Sequence, residues 1–102
     1  MSLKENVTLK DTIELMTSDD YKKRFKAEYF QLECRIEKLA NMVERYKAGT
    51  LGFEPTCPLE LLERQLEHMR EYSDILLERA FMEGVDLFVI NTKDKKILSD
   101  LS

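Results

Sequence analysis

The residues that could do chemistry in this 102-residue chain fall into three groups, and the first is a single histidine, His68, among Arg64, Glu67 and Glu71. No serine or cysteine shares a motif with it, so a nucleophilic triad is not indicated. Glu60, Glu63, Glu67, Glu71, Asp74 and Glu78 form a second group. Their spacing is that of the solvated face of an acidic helix, and Glu-x-x-His, the signature of a di-iron bundle, is missing. Cys34, Cys57 and His68 lack zinc-ligand spacing, and no Gly-rich phosphate loop occurs. The reading is a protein with no catalytic residues, no metal and no cofactor.

The third group is basic and aromatic: Tyr21-Lys22-Lys23-Arg24-Phe25-Lys26-Ala27-Glu28-Tyr29. One reading is a lysine-rich solvated helix face with Tyr and Phe in the core. The other is an anion site, in which tyrosine offers a flat ring to a base and Lys or Arg offers charge to a phosphate. Arg35 and Lys38 follow a few turns along. Arg79 stands among Leu76, Leu77 and Ala80, where a guanidinium needs a partner. That partner is either a helix carboxylate or a ligand phosphate at a symmetry axis.

Two apolar stripes must position these groups. Tyr21, Phe25, Tyr29, Leu32, Ile36, Leu39, Val43 and Tyr46 step by three and four residues, as do Leu62, Leu66, Met69, Ser73, Leu76 and Ala80. That is the period of one helix face. Between them Ala48-Gly49-Thr50-Leu51-Gly52-Phe53-Glu54-Pro55-Thr56-Cys57-Pro58 would interrupt any helix. The expected fold is all-α: a hairpin of two long antiparallel helices, over about 19–48 and 58–83. A short helix over about 9–16 precedes them.

Ser18 is the expected N-cap of the first long helix, with Asp19 and Asp20 in its first turn. Gly49 and Gly84 are placed as left-handed terminators. Thr56 or Cys57 can cap the second helix, with Pro58 in its first turn. Leu51 and Phe53 are expected to fold back over the end of the hairpin. Val85-Asp86-Leu87-Phe88-Val89-Ile90 and Lys96-Ile97-Leu98 read as a small β-hairpin or an arm. The chain thus divides into an N-terminal segment 1–17, a hairpin domain 18–84 and a tail 85–102.

With 43% hydrophobic and 35% charged residues the chain is foldable rather than disordered. Residues 19–48 carry eight basic and six acidic side chains, and residues 58–84 three and seven, so the helices complement each other. A net charge of −4 argues against duplex nucleic acid as a partner. No run approaches the about 20 apolar residues of a membrane span. Two cysteines and no apolar leader read as an intracellular chain. Leu61, Tyr72, Ile75, Leu77, Phe81 and Met82 lie off the second stripe. Two helices alone bury too little surface to offset the ordering of their chain, so a homo-oligomer is expected to cover this surplus.

Further residues carry a resemblance. Ser18-Asp19-Asp20-Tyr21-Lys22-Lys23-Arg24-Phe25-Lys26-Ala27-Glu28-Tyr29 is followed by Leu32, Arg35, Lys38-Leu39 and Met42. Then come Phe53-Glu54-Pro55-Thr56-Cys57-Pro58, Gln65, Met69, Tyr72, Arg79-Ala80 and Glu83-Gly84. Over about residues 9–87 the chain resembles small phage proteins that share the hairpin domain of the anti-CBASS and Thoeris anti-defence sponges. The resemblance implies a hexamer that binds cyclic nucleotide messengers of bacterial immunity in the host cytoplasm, without cleaving them. Cyclic dinucleotides or cyclic ADP-ribose isomers would lie between paired subunits, and cyclic trinucleotides near a three-fold axis. It implies ligand-binding roles for Tyr21, stacking on a base; for Arg24 and Lys38, on phosphate; and for Arg79, at a three-fold site. The chain departs from the family in lacking the larger N-terminal sheet of Thoeris-type members, which weakens the case for cyclic ADP-ribose isomers. Its residues 88–102 match nothing in the family.

Overall fold

The structure, a computed structural model, describes residues 8–87. A 3-10 turn, Lys10–Thr12, leads into a one-turn helix α1 (Ile13–Met16). Two long helices follow, α2 (Tyr21–Ala48) and α3 (Leu59–Glu83), packed against each other as an antiparallel hairpin. The longest dimension is 43 Å, the length of the 28 residues of α2 at about 1.5 Å each.

The seam follows the two stripes. Phe25, Tyr29, Leu32, Ile36 and Val43 of α2 are buried, with Leu62, Leu66, Ser73, Leu76 and Ala80 of α3. Leu39, Tyr46 and Met69 are half-buried. Tyr21, the first residue of the first stripe, stays 47% exposed at the end of the hairpin.

A second buried stripe on α2 lies off this seam: Ala27, Phe30 and Cys34. Its existence follows from the N-terminal segment, which packs along α2. Thr12 is fully buried; its hydroxyl donates to the Leu9 carbonyl at 2.7 Å and accepts from Gln31 Nε2 at 2.9 Å. Thr8 and Asp11 cap the 3-10 turn reciprocally: Thr8 N donates to Asp11 Oδ2 at 2.9 Å, and Asp11 N to Thr8 Oγ1 at 3.4 Å.

The ends of the helices refine the expected caps. Asp20, not Ser18, is the N-cap of α2, its carboxylate accepting from Lys22 N at 2.9 Å. Ser18 acts one step earlier, its hydroxyl accepting from Asp20 N at 3.0 Å. The aspartate side chain reaches the amide two residues on, and this places the start of the helix at Tyr21. At the other end Gly49 takes the left-handed conformation, φ 73°, and Thr50 N bonds back to the Arg45 carbonyl. Gly84 ends α3 in the same way at φ 70°, with Val85 N on the Ala80 carbonyl at 2.8 Å.

Pro58 is the N-cap of α3 and not its first residue, and no side chain caps the helix there. Its ψ of 152° is extended, so helical geometry begins only at Leu59. Phe53 does not fold back. The bend at Gly52–Phe53 turns its ring outward, 59% exposed, and only Leu51 is half-buried.

Val85 and Leu87 are buried in the core cluster with Phe30 and Ala80, and no strand occurs among the described residues. The expected strand over 85–90 is therefore irregular through Leu87, and its remainder, with the return strand at 96–98, lies outside the described residues. Leu61, Tyr72, Ile75, Leu77, Phe81 and Met82 are all exposed, Phe81 at 89% and Met82 at 85%.

Candidate functional site

The end of the hairpin opposite the connection brings the start of α2 beside the last turns of α3. Antiparallel register does this: Tyr21 and Glu28 stand one heptad apart on α2, and they meet Arg79 and Tyr72, one heptad apart on α3. The Tyr72 hydroxyl donates to Glu28 Oε2. The Tyr21 hydroxyl donates to Glu83 Oε1 at 2.6 Å and accepts from Arg79 Nη2 at 2.8 Å. Arg79 Nε donates to Glu83 Oε2 at 2.9 Å, an i,i+4 ion pair along α3. Below them the Phe25 ring is packed edge-on to Tyr21 at 6.2 Å, and the Arg79 guanidinium lies 5.0 Å from its centroid.

The charges in this cluster hold one another. The hydrogen bond to Glu83 is the main cause that raises Tyr21 above its ordinary pKa. The same bond, then Arg79, lowers the Glu83 carboxyl. Glu83 likewise keeps the Arg79 guanidinium charged. Tyr21, Arg79 and Glu83 remain open to solvent. The arrangement offers a flat aromatic face beside a cation already paired with a carboxylate, a cluster suited to exchanging one anion for another. The hydrogen bond to Glu83 raises the tyrosine hydroxyl rather than activating it as a nucleophile.

Of the four residues expected to bind a ligand, the fold joins Tyr21 and Arg79, keeps Arg24 one helical turn from Tyr21 but bonded elsewhere, and leaves Lys38 apart. Arg24 is exposed and its Nη1 donates to the Ser18 carbonyl at 2.7 Å, bracing the turn before α2. Lys38 is exposed on α2, about 25 Å along the helix axis from Tyr21 at 1.5 Å per residue. Glu83 belongs to the cluster as well, and its i,i+4 spacing from Arg79 is the one signal in the sequence that points to it.

The flank of the hairpin beside this cluster differs from the opposite one. There an open groove of about 650 Å³ runs between α2 and α3, lined by Glu33, Glu37, Glu44 and Asp74 against Arg70. Ser73 donates to Glu33 Oε2 at 2.9 Å, and burial, with Glu33 beside it, pushes Tyr29 up to about 12. The groove continues toward the connection, where Lys47 pairs with Glu63 at 2.6 Å. Its acid excess repels phosphates.

The remaining candidate groups take structural positions. His68 Nδ1 lies 3.9 Å from Glu71 on the surface of α3. Cys34 is buried, which raises its thiol pKa, while Cys57 is exposed in the connection. Among the described residues no three His, Cys, Asp or Glu side chains converge as a metal site, and no helix is long and apolar enough to cross a membrane.

Neither the curated proteins nor the solved structures contain a match to this chain. A family model described as Sequestin matches residues 19–82, which covers α2, the connection and α3 but for its last residue. Matched over more than half its length, by the two helices that build the hairpin, the chain belongs to the Sequestin family.

Proposed function

We propose that this protein is a non-catalytic sponge that binds cyclic di- or trinucleotide immune messengers and withholds them from their effectors. It would act as a homo-oligomer, a hexamer by the resemblance to the anti-CBASS and Thoeris sponges, in the host cytoplasm during phage infection. The family name supports sequestration rather than turnover. The observation that carries the ligand class is the joining of Tyr21 and Arg79 over Phe25: a ring for a base and a guanidinium for a phosphate, within one hydrogen bond. Arg24, one turn from Tyr21, serves this reading by leaving the Ser18 carbonyl, and Lys38 only if another subunit brings it to the cluster.

A second reading, a helical scaffold with no small ligand, draws on the exposed apolar surface of α3. One experiment separates the two. The protein is incubated with cyclic di- and trinucleotides and removed by filtration, then denatured by heat. A sponge depletes the ligand and returns it intact. A scaffold depletes nothing, and an enzyme returns a product.

A further inference from the structure

The face of α3 next to the hairpin seam has a repeat of its own. Leu61, His68, Ile75 and Met82 recur every seven residues, and Gln65, Tyr72 and Arg79 follow the first three by four. Alternating steps of four and three give a period of 3.5, that of a coiled-coil seam and not of a helix lying on a flat core. The hairpin leaves much of this face exposed, with Leu61 and Tyr72 at 42%, Ile75 at 52% and Met82 at 85%, while the polar ends of Tyr72 and Arg79 reach across to Glu28 and Tyr21. A shallow depression of about 420 Å³ lies on it between Leu61 and Tyr72.

From this we infer that the face pairs with the same face of a second copy, antiparallel, with Tyr72 at the two-fold axis. The inference rests on the homo-oligomer proposed above and names the surface that builds it. In that register Leu61 meets Met82 of the second copy, His68 meets Ile75, and Gln65 meets Arg79. A parallel pair would set Arg79 against Arg79 instead. The residues that border the seam on its solvent side are Arg64, Glu71 and Glu78. In an antiparallel pair such positions face one another, so Arg64 meets Glu78 of the second copy, twice, at symmetric places. Glu71 meets its own copy near the axis, one unfavourable contact against two favourable ones, so the border is complementary in charge on balance. Pairing also extends the cluster: Gln65 of the second copy arrives beside each Tyr21–Arg79 pair, an amide donor at a site that no single chain completes.

The test is sedimentation velocity with cysteine cross-linking. The full chain is expected to sediment as an oligomer, and Ile75→Glu to reduce its mass while helicity by circular dichroism is unchanged. Arg64→Glu and Glu78→Arg should each weaken association at least threefold, and the double variant should restore it; neither residue is in the hairpin core. For register, in a Cys57→Ser background, Leu61→Cys should cross-link to Met82→Cys in a mixture, and Tyr72→Cys to itself. Cross-linking of Leu61→Cys to itself would mean a parallel pair and overturn the inference. An oligomer indifferent to Ile75→Glu and to the charge exchange overturns the inference alone. A monomer overturns both it and the homo-oligomer, whereas ligand depletion tests the messenger reading independently.

Discussion

The hydroxyl of Tyr21 lies 2.8 Å from Nη2 of Arg79, although 58 residues of sequence separate them. Both also hold Glu83, so a single carboxylate occupies the place where the two donors converge. An incoming phosphate would meet those two groups by replacing Glu83.

Arg79→Lys keeps the charge but loses the planar fork that spans the Tyr21 hydroxyl and a second oxygen. Retention of cyclic nucleotides should fall about tenfold or more, the scale of a lost charge-assisted hydrogen bond. Tyr21→Phe removes only the hydroxyl, so stacking survives and the loss is smaller. Filtration with ligand quantified by chromatography checks both, and circular dichroism should show unchanged helix content.

Stability should fall toward acid through Glu83. Its carboxyl is held below the ordinary 4.5 by Tyr21 and then by Arg79. The unfolded chain therefore takes up this proton at higher pH than the folded chain does. The stabilisation is present above about pH 4.5 and is lost as pH falls through the lowered folded value. Melting temperature plotted against pH should have a flatter acid limb in Glu83→Gln.

The alkaline limb carries the opposite sign. Tyr29 is raised from 10.0 to about 12, by burial first. Its contribution is complete below pH 10 and is lost as pH rises toward 12. Absorbance titration of the folded protein should show a late-ionising tyrosine that disappears in Tyr29→Phe.

Core and surface apolar residues should separate cleanly in urea. Leu76 is fully buried, and Leu76→Ala should cost about 2–5 kcal/mol of unfolding free energy. Phe81 is 89% exposed, and Phe81→Ala should leave the hairpin within about 0.5 kcal/mol of the parent.

The glycines differ by conformation alone. Nothing stands within 4 Å of a Cβ added at Gly49 or Gly52, but only Gly49 has a positive φ, 73°. Gly49→Ala should therefore cost roughly 1–2 kcal/mol through backbone strain, and Gly52→Ala close to nothing. Urea denaturation of the pair isolates that strain, since neither substitution creates a clash.

The hairpin was legible because burial on one face imposes a period, and ten of its seam positions, from Phe25 to Ala80, are buried where the stripes placed them. The left-handed glycines were legible for a local reason: few other residues tolerate that backbone. What escaped depended on chain brought from elsewhere. Ala27, Phe30 and Cys34 are one short stripe among many polar neighbours until the N-terminal segment lies along α2. Asp20 and Ser18 are both good caps, and only the geometry of the turn chooses between them. At the site, the type of Tyr21 and of Arg79 could be read from the sequence, but their meeting could not. It requires the antiparallel register, which depends on where an irregular connection ends and α3 begins. Lys38 belongs to the same limit: its chemistry suits a phosphate, and its place on α2 is far from the cluster.

A hairpin joined only by its connection is a fork, free to splay at the open ends. Here the chain is a ring: residues 49–58 link the helices covalently at one end, and Tyr21, Arg79 and Glu83 link them at the other. The last turn of a helix ordinarily frays, yet this one is tied across to α2, and Val85 and Leu87 bury themselves just beyond it. Its amides should exchange with solvent more slowly than a helix terminus would. Under the proposed function, an anion that displaced Glu83 would act on the same link. The first thing it would change is how often the ring opens, before any change in the shape of the helices.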